Sequence, residues 1–143
     1  MKNRSVVIIC IALVSLYLSC KDEDNTGPGI VGEWGVEIRE TYECPFADEN
    51  MVRTCEDSSY YCYRYSFYED GSVKLATANN RFLASGEYKF GNVWISITYD
   101  TDPYHMGDLP SAEASLVGDK LIIDDNWQPS GYCKIKTTLK RIN

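Results

Sequence analysis

From Ile30 onward apolar residues recur at every second position, a period that suits a pleated strand with one buried face and rejects a helix. Trp34, Val36, Ile38 and Tyr42 alternate with Glu33, Gly35, Glu37, Arg39 and Thr41. Tyr60 to Tyr68 repeats the pattern and is closed by Glu69-Asp70-Gly71-Ser72, a hairpin signal because Asp-Gly accepts the backbone a tight turn requires. Val73 to Thr77 follows. Phe82 to Phe90 then sets Phe82, Ala84, Gly86, Tyr88 and Phe90 on one face, and Gly91-Asn92 turns the chain into Val93 to Tyr99. Beyond a long loop, Asp100 to Pro110, come Ala112 to Val117, the turn Gly118-Asp119, Lys120 to Asp124, the loop Asp125 to Gly131, and Tyr132 to Arg141. After the N-terminal leader no window of ten residues keeps helical periodicity without a breaker. Eight antiparallel strands joined mostly by tight turns predict an all-β, up-and-down barrel, which removes exposed sheet edges and has room for side chains or one small ligand. The 143 residues suffice for one such domain.

Ile30-Val31-Gly32-Glu33-Trp34 opening the first strand, Phe67-Tyr68-Glu69-Asp70-Gly71-Ser72, Gly86-Glu87-Tyr88 and the terminal Leu139-Lys140-Arg141 together resemble the bacterial lipocalin-like domain of secreted lipoproteins, a calycin-type barrel. The resemblance spans residues 30–143. It implies that the Trp of the Gly-x-Trp element, Trp34, closes one end of the barrel, and that a basic residue of the last strand, Arg141, stacks on its ring. Such a cation–π pair contributes about 1 kcal/mol, more where water is excluded. The first loop, long and cysteine-bearing, departs from the family pattern.

The first nineteen residues read as an export signal. Lys2 and Arg4 precede the mostly apolar run Val6 to Leu18, long enough for a signal-peptide core and too short for a membrane span. The run ends in Leu16-Tyr17-Leu18-Ser19-Cys20, which resembles a lipobox: a small residue before a cysteine that is lipidated through its thiol. Tyr17 stands where an aliphatic residue is usual. Lipidation at Cys20 implies a chain anchored on a bilayer rather than spanning it, since two or more acyl chains hold where one does not. Residues 20–29, Lys21-Asp22-Glu23-Asp24-Asn25 and then Thr26-Gly27-Pro28-Gly29, read as a flexible acidic tether. The Lys-then-acidic order also resembles tags that carry lipoproteins to the outer face of the outer membrane. The expected location is therefore the outer membrane, on its periplasmic or cell-surface face. The whole chain carries 21 acidic and 14 basic residues, and loss of the leader takes the net charge from −7 to −9. No basic patch for nucleic acid is expected from that balance.

With Cys10 in the leader and Cys20 lipidated, four cysteines remain: Cys44, Cys55, Cys62 and Cys133. An even number in an exported domain reads as two disulfides, with three possible connectivities. In an up-and-down barrel all four fall at the rim opposite Trp34, where they would pin the loop from Cys44 to Tyr60 over the mouth. A zinc site is the alternative, but the spacings match no compact knuckle.

No motif singles out a catalytic group. The one histidine, His105, lies in the loop Tyr99 to Asp108, and Asp100, Asp102 and Asp108 beside it lack the glycine and closing glutamate of a calcium loop. The reading is a non-enzyme without metal or cofactor. For binding, the phase of the first strand points Trp34, Val36, Ile38 and Glu40 inward. Extension from Phe67 adds Tyr61, Tyr63 and Tyr65, and the fifth strand adds Ile95, Ile97 and Tyr99. A one-residue slip of the second strand would instead turn Tyr60, Arg64 and Tyr68 inward. An aromatic pocket with hydroxyls and one carboxylate suits a small hydrophobic or amphipathic ligand. The other reading is a solid barrel that contacts a protein or glycan through its rim loop and the exposed Tyr60, Tyr68, Trp94 and Tyr132.

Overall fold

The computed structural model describes residues 29–55, 62–126 and 131–142. The leader, Cys20, the tether before Gly29, Tyr60 and Tyr61 lie outside these. Among the described residues nine strands follow one another: β1 (Gly32–Tyr42), β2 (Met51–Thr54), β3 (Tyr63–Phe67), β4 (Ser72–Thr77), β5 (Phe82–Phe90), β6 (Trp94–Thr101), β7 (Leu109–Val117), β8 (Lys120–Asp125) and β9 (Lys134–Ile142). Eight of them, β1 and β3 to β9, pair antiparallel in sequence order, and β9 closes on β1 along nearly the whole of β1. The protein is thus an all-β, closed, eight-stranded up-and-down barrel, a fold compatible with the lipocalin-like architecture.

The ninth strand, β2, arises within what the sequence presents as a loop. Its four exposed residues pair with Ile38 to Thr41, while β3 pairs with Gly32 to Gly35, so the two strands share one edge of β1. The hairpin between β1 and β2 is built from a 3-10 turn, Ala47–Glu49. Thr41 Oγ1 donates to the Glu49 carbonyl at 3.0 Å, and the Cys44 N–H to Asn50 Oδ1 at 3.1 Å. This segment therefore folds back against the wall instead of lying over the mouth.

Register shifts interrupt four of the seams, β1–β9, β4–β5, β5–β6 and β6–β7, and the first two bear on which side chains face inward. Along the β1–β9 seam Val36 opposes Leu139 and Ile38 opposes Thr138, so Glu37 is an extra residue and the alternation slips by one. Between β4 and β5, Leu75 opposes Ala84 and Ala76 opposes Phe82. The extra residue there, Leu83, is buried beside Ala84, and Phe82 is turned out at 44% exposure, which corrects the expectation that it shares a face with Ala84.

The end bearing Trp34 is solid. Trp34, Phe67, Val73, Ile95, Leu121 and Leu139 are fully or nearly fully buried there, with Ile30 tucked beneath. The Trp34 indole N–H donates to the Ile30 carbonyl at 2.7 Å. The Arg141 guanidinium lies 4.3 Å from the Trp34 ring centroid and donates to the carbonyls of Val31, at 2.9 Å, and Gly29. Gly32 has φ +131°, and a Cβ there would meet Arg141 Nη1 at 2.9 Å, so the glycine of Gly-x-Trp makes room for the guanidinium. Gly86 answers a similar demand, since a Cβ there would strike the Thr98 carbonyl oxygen at 1.9 Å.

Candidate functional site

The opposite half of the barrel is not filled. A cavity of about 250 Å³ opens between β1, β3, β4, β6, β7, β8 and β9, floored by Leu75 and Ile97 and walled by Tyr63, Tyr65 and Tyr99. Ile123, Ile135 and Thr137 complete its far side, and Met106, Gly107, Asp108 and Leu109 cover part of its rim. Its charged groups are Arg39, Asp108 and Asp125.

Each strand places these side chains by period two. On β3, Tyr63, Tyr65 and Phe67 share the inner face; the Tyr65 and Phe67 rings stack at 5.9 Å with 8° between planes, and Tyr88 meets Phe67 edge-on at 4.9 Å. On β6, Ile97 and Tyr99 continue the inner face of Ile95. On β1 the bulge decides. Trp34 and Val36 point inward, both in the solid half, and beyond Glu37 it is Arg39 that lines the cavity. Ile38 does not line it, and Glu40 lies outside with Tyr42, Met51 and Val52 in a groove of the outer wall. The inward placement expected of Ile38 and Glu40 is thus corrected. The one-residue slip of the second strand is not adopted, because Tyr63 and Tyr65 face the cavity and Tyr68 is exposed. Ile95 packs in the solid half below.

The phenols are held neutral. Burial pushes the Tyr65 hydroxyl up to about 12, with the Arg39 charge partly opposing the shift. Burial also raises Tyr99, and the nearby Tyr65, Asp102 and Asp108 add to the effect. Both therefore remain O–H donors at any physiological pH. Among the described residues no buried side-chain polar atom lacks a hydrogen-bond partner.

The rim is tied down. Disulfides join Cys44 to Cys133 and Cys55 to Cys62, selecting one of the three connectivities. The first links the end of β1 to the start of β9, and the second links β2 to β3 where β2 gives up the wall. Glu49 comes within 3.9 Å of Cys133 Sγ, but that sulfur is bonded to Cys44, which leaves no thiolate pair for a metal. On the outer wall Tyr42 donates to Asp124. The loop between β6 and β7 is ordered by its own carboxylates: Asp102 accepts from the Met106 and Gly107 N–H groups, at 2.7 and 3.1 Å, and Asp108 from the Tyr99 N–H at 2.8 Å. Those bonds, the Met106 N–H foremost, hold Asp102 below its ordinary value. Arg81 donates to the Tyr104 hydroxyl at 2.7 Å and latches this loop to the turn between β4 and β5. His105 is exposed within it at φ +55°.

The aromatics expected at an outer contact do not share a patch. Tyr68 and Trp94 lie at the closed end, while Tyr132, 67% exposed, lies at the mouth. No family model, curated protein or solved structure matches this chain.

Proposed function

We propose that the barrel is a small-molecule binding protein, with the half-open cavity above Leu75 and Ile97 as its site. The observation that carries this reading is the cavity of about 250 Å³ itself, in which tyrosine rings and aliphatic side chains surround a few polar groups. A hydrophobic or amphipathic ligand suits such walls. In this reading the protein turns over no substrate.

The chain would work as a lipid-anchored lipoprotein of the cell envelope, held at the outer membrane through Cys20. Gly29 and Ile30 are clamped at the closed end by Arg141 and Trp34. The chain coming from an anchor at Cys20 therefore enters the barrel at its closed end. Incorporation of labelled fatty acid that disappears in Cys20→Ser would support the anchor; unchanged incorporation would remove it.

Native mass spectra and thermal melts of the purified, disulfide-bonded chain against lipids, pigments, sugars and small aromatics test the binding reading. A retained mass with a ligand-dependent rise in Tm is expected, because a ligand selective for the folded state stabilises it. No mass and no shift across the panel would transfer the function to the outer surface, with a protein or glycan as partner.

A further inference from the structure

The bulge at Glu37 reverses the charge of the cavity wall. Straight alternation from Trp34 would bring Ile38 and Glu40 inward, and the extra residue brings Arg39 instead. Arg39 shares its rung with Thr137 and Ile123, below the rung of Thr41, Ile135 and Asp125 that is nearer the mouth. Its place on the wall is thus deeper than that of Asp125. Asp108, the other acid, is on the loop side and accepts the Tyr99 N–H. The same cavity wall carries Tyr63, Tyr65 and Tyr99, and the Arg39 charge is felt at the Tyr65 hydroxyl.

Building on the binding reading above, we infer that the ligand is a small planar carboxylate, its carboxylate held by the Arg39 guanidinium and a tyrosine hydroxyl and its ring seated between the tyrosine side chains. Three arguments converge. A guanidinium and neutral phenols are donors, and a planar fork matches a carboxylate with two parallel hydrogen bonds. The phenols stay donors because burial holds Tyr65 and Tyr99 protonated. The space, about 250 Å³ and open at the mouth, accommodates one ring with a short substituent. Arg39 and Asp125 each keep contacts of their own within the protein, so an incoming carboxylate meets groups that already have partners. Asp125, a rung nearer the mouth, opposes the ligand's charge and sets its affinity from above.

Isothermal titration of the full, disulfide-bonded chain with benzoate, benzamide and benzylamine tests this, since the three share a ring and differ in charge. Benzoate is expected to bind tightest. Arg39→Gln should weaken benzoate by roughly ten- to hundredfold while leaving benzamide within about twofold, as expected for loss of a charge-assisted pair. Asp125→Asn should tighten benzoate. Equal or tighter binding of benzamide or benzylamine to the unaltered chain would overturn the inference, and so would benzoate affinity indifferent to Arg39→Gln in a variant whose thermal melt is normal. Should that variant not fold, the ranking of the three ligands on the unaltered chain decides. Binding of an uncharged or long-chain ligand from the wider panel without benzoate would sink the carboxylate and leave the cavity reading intact; absence of any ligand would sink both.

Discussion

The two ends of this barrel are stabilised by different physics. At the closed end, side chains fill the lumen: Trp34, Phe67 and Leu139 are fully or almost fully buried, and Arg141 lies over the indole while bonding the carbonyls of the entering chain. At the open end the lumen is kept partly empty, and the packing that holds the wall is thinner: a small cluster of Leu75, Leu83 and Ala84 with Tyr63, Tyr65, Tyr99 and Met106 against it. Covalent and polar ties supplement it: the Cys44–Cys133 and Cys55–Cys62 bridges, the Tyr42–Asp124 bond, and the Arg81–Tyr104 latch. A small barrel that keeps a cavity gives up apolar contact where its strands end, and cross-links restore what is lost.

The sharpest break of this contrast is Trp34→Ala. It removes the largest buried side chain and leaves Arg141 without a ring, and it should cost about 3–5 kcal/mol by the usual range for large-to-small core changes. Urea unfolding would read this as a fall in midpoint with little change in slope; a loss below about 1 kcal/mol would mean that the closed end is not the anchor of the fold. The open end should answer next. Cys44→Ser with Cys133→Ser should cost about 2–4 kcal/mol, more than the matching pair at Cys55 and Cys62, because the sequence separations are 89 and 7 and the longer loop gains more freedom when released. Equal losses for the two pairs would count against the chain-entropy account.

A pH titration separates the ends differently. Tyr65 and Tyr99, at the cavity, ionise in the folded chain well above the ordinary tyrosine value of 10.0, with Tyr65 at about 12. The unfolded chain gives up those protons first. Stability is therefore whole below about pH 10, where both states keep the protons, and falls as pH rises from there toward 12, where only the folded state still holds them. Tyrosinate absorbance should rise late and together with loss of tertiary structure. In Tyr65→Phe the fall in stability above about pH 10 should be shallower, and an unchanged profile would remove Tyr65 as a cause.

Much of the closed end is legible in the sequence, and less of the open end. Trp34 and its glycine form a local element that needs no knowledge of register, and the place of Arg141 on the Trp34 ring is what the family resemblance implies. The strands around Phe67, Tyr88 and Ile95 follow from alternation and from the Asp-Gly and Gly-Asn turns. Tyr63, Tyr65, Ile97 and Tyr99 are foreseen as inward for the same reason, and the cavity collects them. Arg39 is missed because a bulge is a single extra residue without a signature of its own. A signal lies in two spans. If Trp34 faces Arg141 and Tyr42 faces Lys134, one strand takes eight steps and the other seven, so one residue of β1 must be left over. Met51–Thr54 is missed because four exposed residues bury no face and so carry no alternation.

The bulge also supplies the finest comparison, between a wall with the extra residue and one without it. In the β1–β9 seam Val36 opposes Leu139 and Ile38 opposes Thr138, so deletion of Glu37 would leave an uninterrupted ladder. Arg39 would keep its place opposite Thr137 and its inward direction. What the deletion removes is the solvent-exposed Lys120–Glu37 pair at 2.7 Å, which contributes little, and the bond from the Cys55 N–H to the Glu37 carbonyl at 2.8 Å, worth about 1 kcal/mol. The expected cost is small, about 1–2 kcal/mol in urea unfolding, with benzoate selectivity retained. The converse leaves the bulge in place and exchanges its neighbours: Ile38→Arg combined with Arg39→Ile keeps composition and net charge while reversing the two directions. That swap should abolish the preference for benzoate over benzamide, because the bulge sends position 38 outward whatever residue occupies it. A preference that survived the swap in a chain with a normal melt would mean that the selectivity comes from the tyrosine hydroxyls and not from the register of β1.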